Sequence, residues 1–193
     1  NCKPGQAIYV ITKKEGITIY YSRLSIGYRA YLKTSNGNKY GFTSCGHAIR
    51  TSIDNKVYTD TTFQTVLGTI KTWQYGDSVD ASFIELSSGN NFVTTTYYSN
   101  ENGSTSGGDS IKSNSVVKSL TIGATVYKVG STTYKTSAIV TNTNYDFTLN
   151  GVAFTNFIKT TDFSDSGDSG GLVYCYINGN YCPAGLIHGG NST

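Results

Sequence analysis

The chain has 193 residues, a formal net charge of +3, and 37% hydrophobic, 13% aromatic and 14% charged residues. A chain of this length buries roughly 70% of its unfolded surface without a disulfide scaffold in place of a core. Its longest apolar run, Ala7 to Ile11, is far below the roughly 20 residues of a membrane span. Any targeting peptide is therefore expected to have been removed already. The 15 basic residues are scattered rather than gathered into a stripe, so neither nucleic acid nor membrane is expected as a partner.

Abundant threonine, serine and asparagine, with 16 tyrosines and only two prolines, favour strands and turns over helices. In chain order the β-type segments are 7–12, 17–21, 26–33, 39–44, 63–72, 79–86, 92–98, 116–129, 132–142, 145–149, 152–160, 171–177 and 180–188. A single turn of helix is expected after His47, and no fixed-period repeat is present. Between residues 100 and 110 the chain carries no apolar residue and three glycines, which reads as a surface connection. It divides an all-β chain into two halves, each large enough for a small antiparallel barrel.

Cys175 and Cys182 frame an Asn178-Gly179 turn, which would set them directly opposite one another and leave Cys2 to pair with Cys45. That reading implies an oxidising, extracellular compartment, with which the sequons at Asn102 and Asn191 are compatible. No C-x-x-C is present, and His47 and His188 lack zinc-ligand spacing, so no metal is expected.

Chemistry concentrates in three places: Thr43-Ser-Cys-Gly-His47, Val79-Asp80 entering an apolar strand, and Gly167-Asp-Ser-Gly-Gly171. A serine hydroxyl is a poor nucleophile unless an imidazole takes its proton, and the imidazole needs a carboxylate to fix its tautomer. Glycines beside the serine let backbone N–H groups face a developing oxyanion. The Gly-x-Ser-x-Gly pattern also describes the α/β-hydrolase elbow, but that order needs an acid after the serine. After Ser169 there is none, and no helices are visible. Asp77 competes with Asp80 for the carboxylate role; Asp80 is favoured because it directly enters the strand.

With these motifs in this order, the sequence resembles the chymotrypsin-like serine peptidases, most closely the bacterial α-lytic protease and streptogrisin group. The likeness extends to Gly5-Gln-Ala-Ile-Tyr, Val129-Gly-Ser-Thr-Thr-Tyr and Ala184-Gly-Leu-Ile-His-Gly-Gly-Asn. It implies two packed six-stranded antiparallel β-barrels: residues 1–100 carrying His47 and Asp80, a linker at 101–110, and residues 111–193 carrying Ser169. The chain stops at Thr193, so the second barrel is expected to lack the family's last strand and C-terminal helix. The resemblance assigns His47 as base, Asp80 as its orienting partner and Ser169 as nucleophile, with the N–H groups of Gly167 and Ser169 as oxyanion hole. His188, Gly189 and Gly190 would bind substrate backbone, and Phe163, Ser164 and Ser166 would line the specificity pocket, which carries no formal charge. Asp165 would point away from that pocket.

Departures from the family are Ala48 after the histidine, Cys45 in a small-residue position, Tyr127 and Ser137 in place of a second disulfide, and His188 where serine is usual. The His188 position implies a hydrogen bond to Asp80. Lys128, standing where the group has an internal basic residue, would pair with Asp168 and hold the Gly167 N–H toward the oxyanion. The function implied is a secreted serine endopeptidase working through an acyl-enzyme; the alternative is a catalytically silent binding homologue on the same fold. Expected partners are protein or peptide substrates and a propeptide, the chain being monomeric and needing no cofactor.

Overall fold

The computed structural model describes residues 1–96, 108–112 and 115–189. Tyr97, Tyr98, Gly190, the sequons at Asn102 and Asn191 and most of the 101–110 connection lie outside them. The first half runs β1 (Ala7–Glu15), β2 (Thr18–Ser25), β3 (Arg29–Thr34), β4 (Gly37–Ser44), α1 (Gly46–Ile49), β5 (Lys56–Tyr58), β6 (Val66–Gly76) and β7 (Val79–Leu86). The second runs β8 (Thr125–Gly130), β9 (Tyr134–Leu149), β10 (Val152–Thr160), β11 (Leu172–Ile177) and β12 (Asn180–Leu186).

The strands form two antiparallel sheets, ordered β2-β1-β5-β6-β7-β4-β3 and β10-β9-β8-β11-β12. The first sheet thus has seven strands against an expectation of six, and the second has five, the number expected of a six-stranded barrel without its last strand. The short β5 carries no alternation long enough to announce itself, and residues 116–124 of the segment expected at 116–129 lie outside any strand, up to the first residue of β8. Of the segment expected at 92–98, the described residues 92–96 contribute only isolated bridges, Cys2 to Phe92 and Thr95 to Ser110. Conversely, 132–142 and 145–149 merge into the single long strand β9. It turns into β10 through Asn150-Gly151, both at positive φ (52° and 78°), as a tight hairpin that matches strand twist requires. The second sheet is a half-barrel.

Alternation dictates which faces are dry. Ile8, Val10, Leu24, Ile26, Phe42, Val57, Leu67 and Ile84 meet in the core of the first sheet. Val126, Ala138, Val140 and Cys175 form the apolar face of the second. Between the sheets, Tyr28 packs with Ile111, Val129, Leu172 and Tyr174. Burial at roughly 25 cal/mol per Å² makes these clusters the main favourable contribution to folding.

The β11–β12 hairpin has the register that Asn178-Gly179 predicts: Ile177 faces Asn180, Tyr176 faces Tyr181, and Cys175 faces Cys182. The expected bridges are nonetheless absent; Cys2, Cys45, Cys175 and Cys182 are all buried thiols. Cys2 Sγ donates instead to the Asn91 carbonyl at 3.5 Å and Cys182 Sγ to the Asn180 carbonyl at 3.8 Å, so each turns toward a nearby backbone acceptor.

Candidate active site

Three chain segments converge where the sheets meet. Strand β4 ends at Ser44, Cys45 stays extended (φ −70°, ψ 152°), and α1 begins with Gly46-His47. A Cβ on Gly46 would lie 2.1 Å from the Gln74 carbonyl oxygen, so only glycine lets the histidine turn pack this closely against β6. The adjoining β7 carries Asp80 as its second residue, opposite Tyr75 of β6.

Asp80 is 1% exposed at its side chain and accepts four hydrogen bonds. Oδ1 receives the N–H groups of Gly46 (2.7 Å) and His47 (2.8 Å). Oδ2 lies 2.7 Å from His47 Nδ1 and 2.5 Å from His188 Nδ1. Burial opposes the charged carboxylate, but the donors from His188 and His47 outweigh it and hold Asp80 well below the ordinary carboxylate range. An ionised carboxylate can only accept, so both imidazoles carry their proton on Nδ1. In its neutral form His47 therefore keeps its lone pair on Nε2. Burial works against a charged His47, yet the Asp80 hydrogen bond, aided by Cys45 and the Asp80 charge, lifts its pKa above the usual imidazole value. The aspartate thus makes this ring a stronger base.

His188, the residue after Ile187 at the end of β12, sits among aromatic rings. Its centroid is 4.9 Å from Phe154, 5.4 Å from Phe147 and Phe157, and 5.5 Å from His47. Tyr75 stacks beside it at 6.4 Å, and the Arg50 guanidinium covers the Tyr75 ring at 4.5 Å. The β9–β10 hairpin, which reaches across to the first sheet through the Asp77–Phe154 bridge, supplies three of these rings. Sequence reading placed His188 but not its enclosure. The aromatic residues Tyr145, Phe147, Phe154 and Phe157 stand close together in the sequence, but nothing in it marks the element they cover.

Ser169 follows Asp168 in a turn closed by the Gly171 N–H donating to the Asp168 carbonyl at 2.8 Å. Its Oγ donates to the His188 carbonyl at 3.4 Å, so one residue touches Asp80 through its ring and Ser169 through its backbone. Gly170, at φ +82°, has no room for a Cβ, which would lie 2.2 Å from Ser44 Oγ. The Ser25 N–H donates to the Ser169 carbonyl at 2.9 Å, tying the serine loop to the first sheet. Among the described residues, the N–H groups of Gly167 and Ser169 donate to no protein acceptor.

Asp168 and Lys128 are wholly buried and 2.9 Å apart. Asp168 also accepts from Thr132 N (2.8 Å), Thr133 N (3.1 Å), Thr133 Oγ1 (2.5 Å) and Asp165 N (3.1 Å). Lys128 Nζ also donates to Thr133 Oγ1 and to the Tyr134 carbonyl. Burial raises Asp168, but the Thr133 and Lys128 donors more than reverse it.

The expected pocket residues are more scattered. Phe163 packs against the apolar face formed by Val126, Ala138 and Val140, and its carbonyl accepts from Thr136 Oγ1 at 2.5 Å. Ser164 is half-buried, Ser166 and Asp165 are exposed, and Gly189 is exposed beyond β12.

His47, Asp80 and His188 are also the one group of potential metal donors among the described residues, their ligand atoms lying within 4.8 Å of one another. The 2.5 and 2.7 Å separations from Oδ2 suit hydrogen bonds. Two donors of a tetrahedral ion with bonds of about 2.0–2.1 Å stand roughly 3.3 Å apart. The spacing fits a shared proton donor pair, not an ion.

No protein-family model and no curated protein matches the chain. Solved structures do. A glutamic-acid-specific serine protease that uses a histidine triad in substrate binding is 23% identical over 97% of this chain and 85% of its own, with TM-score 0.74. Cellulomonas bogoriensis chymotrypsin is 25% identical over 98% and 84%, with TM-score 0.67. An alpha-lytic protease homologue, N4, is 15% identical over 97% and 84%, with TM-score 0.69. The chain therefore has the two-barrel fold of the chymotrypsin-like bacterial serine proteases over nearly its whole length.

Proposed function

We propose that the protein is a serine endopeptidase that hydrolyses peptide bonds through an acyl-enzyme. One observation carries this reading: a buried, four-fold hydrogen-bonded Asp80 orients His47 in the same site where the N–H groups of Gly167 and Ser169 have no protein acceptor among the described residues. Each part matches a role in serine acyl transfer.

In the first step the Ser169 hydroxyl leaves the His188 carbonyl and gives its proton to His47 Nε2 while Oγ bonds to the scissile carbonyl carbon. The carbonyl π electrons move onto oxygen, and the N–H groups of Gly167 and Ser169 receive that charge. Asp80 stays ionised and stabilises the imidazolium. The tetrahedral centre collapses, the C–N bond breaks, and the leaving amine takes the proton from Nε2. Water then repeats the sequence with His47 as base, freeing the acid and restoring the hydroxyl. Exposed Gly189, just beyond the end of β12, offers backbone on which a substrate strand can add.

Ser164 and Ser166 support an uncharged P1 side chain. Both histidines of this chain turn Nδ1 to Asp80 rather than toward Ser164 and Ser166. We further propose that the enzyme acts outside the cell as a monomer, by its resemblance to the bacterial group; recovery of the protein only from the cytosol argues against this.

The test is a fluorophosphonate label followed by peptide mapping. Stoichiometric attachment to Ser169, abolished in Ser169→Ala together with peptide hydrolysis, supports the enzyme. No attachment to the folded chain supports a binding homologue instead.

A further inference from the structure

In the loop from Ser166 to Ser169 every carbonyl accepts a hydrogen bond. A trans peptide points its C=O and the following N–H in opposite directions, so whatever captures a carbonyl aims the next N–H. The Asp168 carbonyl accepts the Gly171 N–H, which turns the Ser169 N–H outward. The Ser166 carbonyl accepts Thr132 Oγ1 at 2.7 Å, which turns the Gly167 N–H outward. The Gly167 carbonyl between them accepts two hydroxyls, Ser25 Oγ at 2.8 Å and Ser131 Oγ at 2.9 Å.

These groups are themselves fixed. Thr132 N and Thr133 N donate to Asp168 Oδ1, Ser131 N donates to Ser25 Oγ at 2.8 Å, and the Arg23 guanidinium donates to the Ser131 carbonyl at 2.5 Å. Arg23 and Ser25 belong to β2 of the first sheet, whereas residues 131–133 join β8 to β9 in the second. Thr132 also abuts Gly167 directly: a Cβ there would lie 2.4 Å from its Oγ1. Gly167 sits at φ +96°, but a glycine adopts negative φ about as readily. Nothing intrinsic to Gly167 keeps its N–H outward. The fixing must come from outside the loop.

We propose that Thr132 is the positioning residue of the oxyanion hole: its hydroxyl latches the Ser166 carbonyl and so holds the Gly167 N–H toward the cleft, while Ser25 and Ser131 lock the next peptide from across the sheet junction. The inference rests on the serine peptidase reading for its catalytic consequence, but not for its geometry. Lys128 and Asp168 anchor the loop; Thr132 sets the sense of one peptide plane. Without the latch the Ser166–Gly167 peptide turns over, its carbonyl replaces the N–H in the hole, and the transition state loses one of two donors.

The experiment uses the full chain with Thr132→Val, which keeps shape and removes the hydroxyl, and Thr132→Ser, which restores it. Loss of one oxyanion donor lowers kcat on the order of 10²–10³-fold. KM for a peptide substrate stays within a few-fold, affinity for a peptidyl aldehyde falls in step with kcat, and Thr132→Ser recovers most of both. If T132V does not fold, T132A gives the same comparison. A merely structural role would lower the melting temperature without splitting kcat from KM. A T132V protein with kcat within about twofold of wild type overturns the proposal. So does a crystal structure of T132V with the Ser166–Gly167 peptide unturned, and that readout needs no activity. Absence of hydrolysis by the wild-type chain would instead strike the peptidase reading.

Discussion

Lys128 Nζ and Asp168 Oδ2 stand 2.9 Å apart, with neither side chain exposed to solvent. Two charges taken out of water together are tolerated; one alone costs several kcal/mol. Lys128→Met keeps the bulk and leaves Asp168 ionised against Thr132, Thr133 and Asp165 donors only. Its stability by chemical denaturation should fall by roughly 3–5 kcal/mol, and peptide hydrolysis should fall with it as the loop before Ser169 loosens. Unchanged stability and turnover would show that the backbone donors suffice.

A second expectation follows from Asp80 and its two imidazoles. His47 must be neutral to accept the serine proton, and Asp80 holds its pKa above the ordinary 6.5. The acidic limb of kcat/KM should therefore have its midpoint above that value. Asp80→Asn removes the anion and permits the wrong tautomer, so kcat should drop by about 10⁴ and the limb should move to lower pH. His188→Phe keeps an aromatic within the Phe147–Phe154–Phe157 cage but takes one donor from Oδ2, leaving a more basic carboxylate facing His47. Its limb should move the other way. Identical pH profiles for wild type and His188→Phe would mean that the 2.5 Å contact does not tune the carboxylate.

Much of this site was legible before any coordinates. His47, Asp80 and Ser169 stand in motifs whose neighbours are dictated by chemistry: a glycine where β6 leaves no space for a Cβ, and glycines at positive φ around the nucleophile. The Cys175–Cys182 register followed from a two-residue turn with a fixed geometry. Less legible was anything that depends on contacts across the sheet junction. Ser25 lies 142 residues from Gly167 and Thr132 lies 34 from Ser166, and an ordinary serine or threonine in a β-rich chain carries no mark of such a contact. The thiol states are less legible for a related reason: opposition in register brings two backbones together, yet each Sγ can still turn to a carbonyl, as Cys182 does toward Asn180. The extra strand of the first sheet, β5, is too short to show alternation, and residues 116–124 bond to β9 and β12 only at scattered points, through Val117, Gly123 and Ala124, rather than along a strand.

Acid stability gives a third check. Asp80 and Asp168 both have pKa values lowered from 3.8, so each contributes stability that is complete above that value and is lost as pH falls below it. His47 is raised from 6.5 to about 10, so its contribution is complete below 6.5 and fades as pH climbs toward 10. Unfolding free energy should therefore decline on both sides of a plateau running from roughly pH 4 to 6.5. Asp80→Asn should flatten both slopes, because it removes one acidic group and the anion that charges His47. An acid slope for that variant as steep as the wild type's would locate the effect elsewhere.

The last expectation concerns Gly46. Its N–H donates to Asp80 Oδ1 at 2.7 Å, and a Cβ at this position would fall 2.1 Å from the Gln74 carbonyl oxygen and 3.0 Å from that of Ala81. Both obstacles are backbone atoms of paired strands β6 and β7, so neither can swing aside as a side chain would. Gly46→Ala must push α1 away from the sheet that carries Asp80. That movement lengthens the bonds from Gly46 N, His47 N and His47 Nδ1 to the carboxylate together, since all three leave from the same turn. Overpacking of this kind costs about 1–3 kcal/mol, and a displacement near 1 Å at a catalytic base costs on the order of 10²-fold in rate. The variant should remain folded, with a melting temperature a few degrees lower, and lose activity far out of proportion to that change. Fluorophosphonate labelling of Ser169 measured beside thermal unfolding separates the two effects. Labelling at the wild-type rate in a protein that has lost stability would show that His47 keeps its place when α1 shifts.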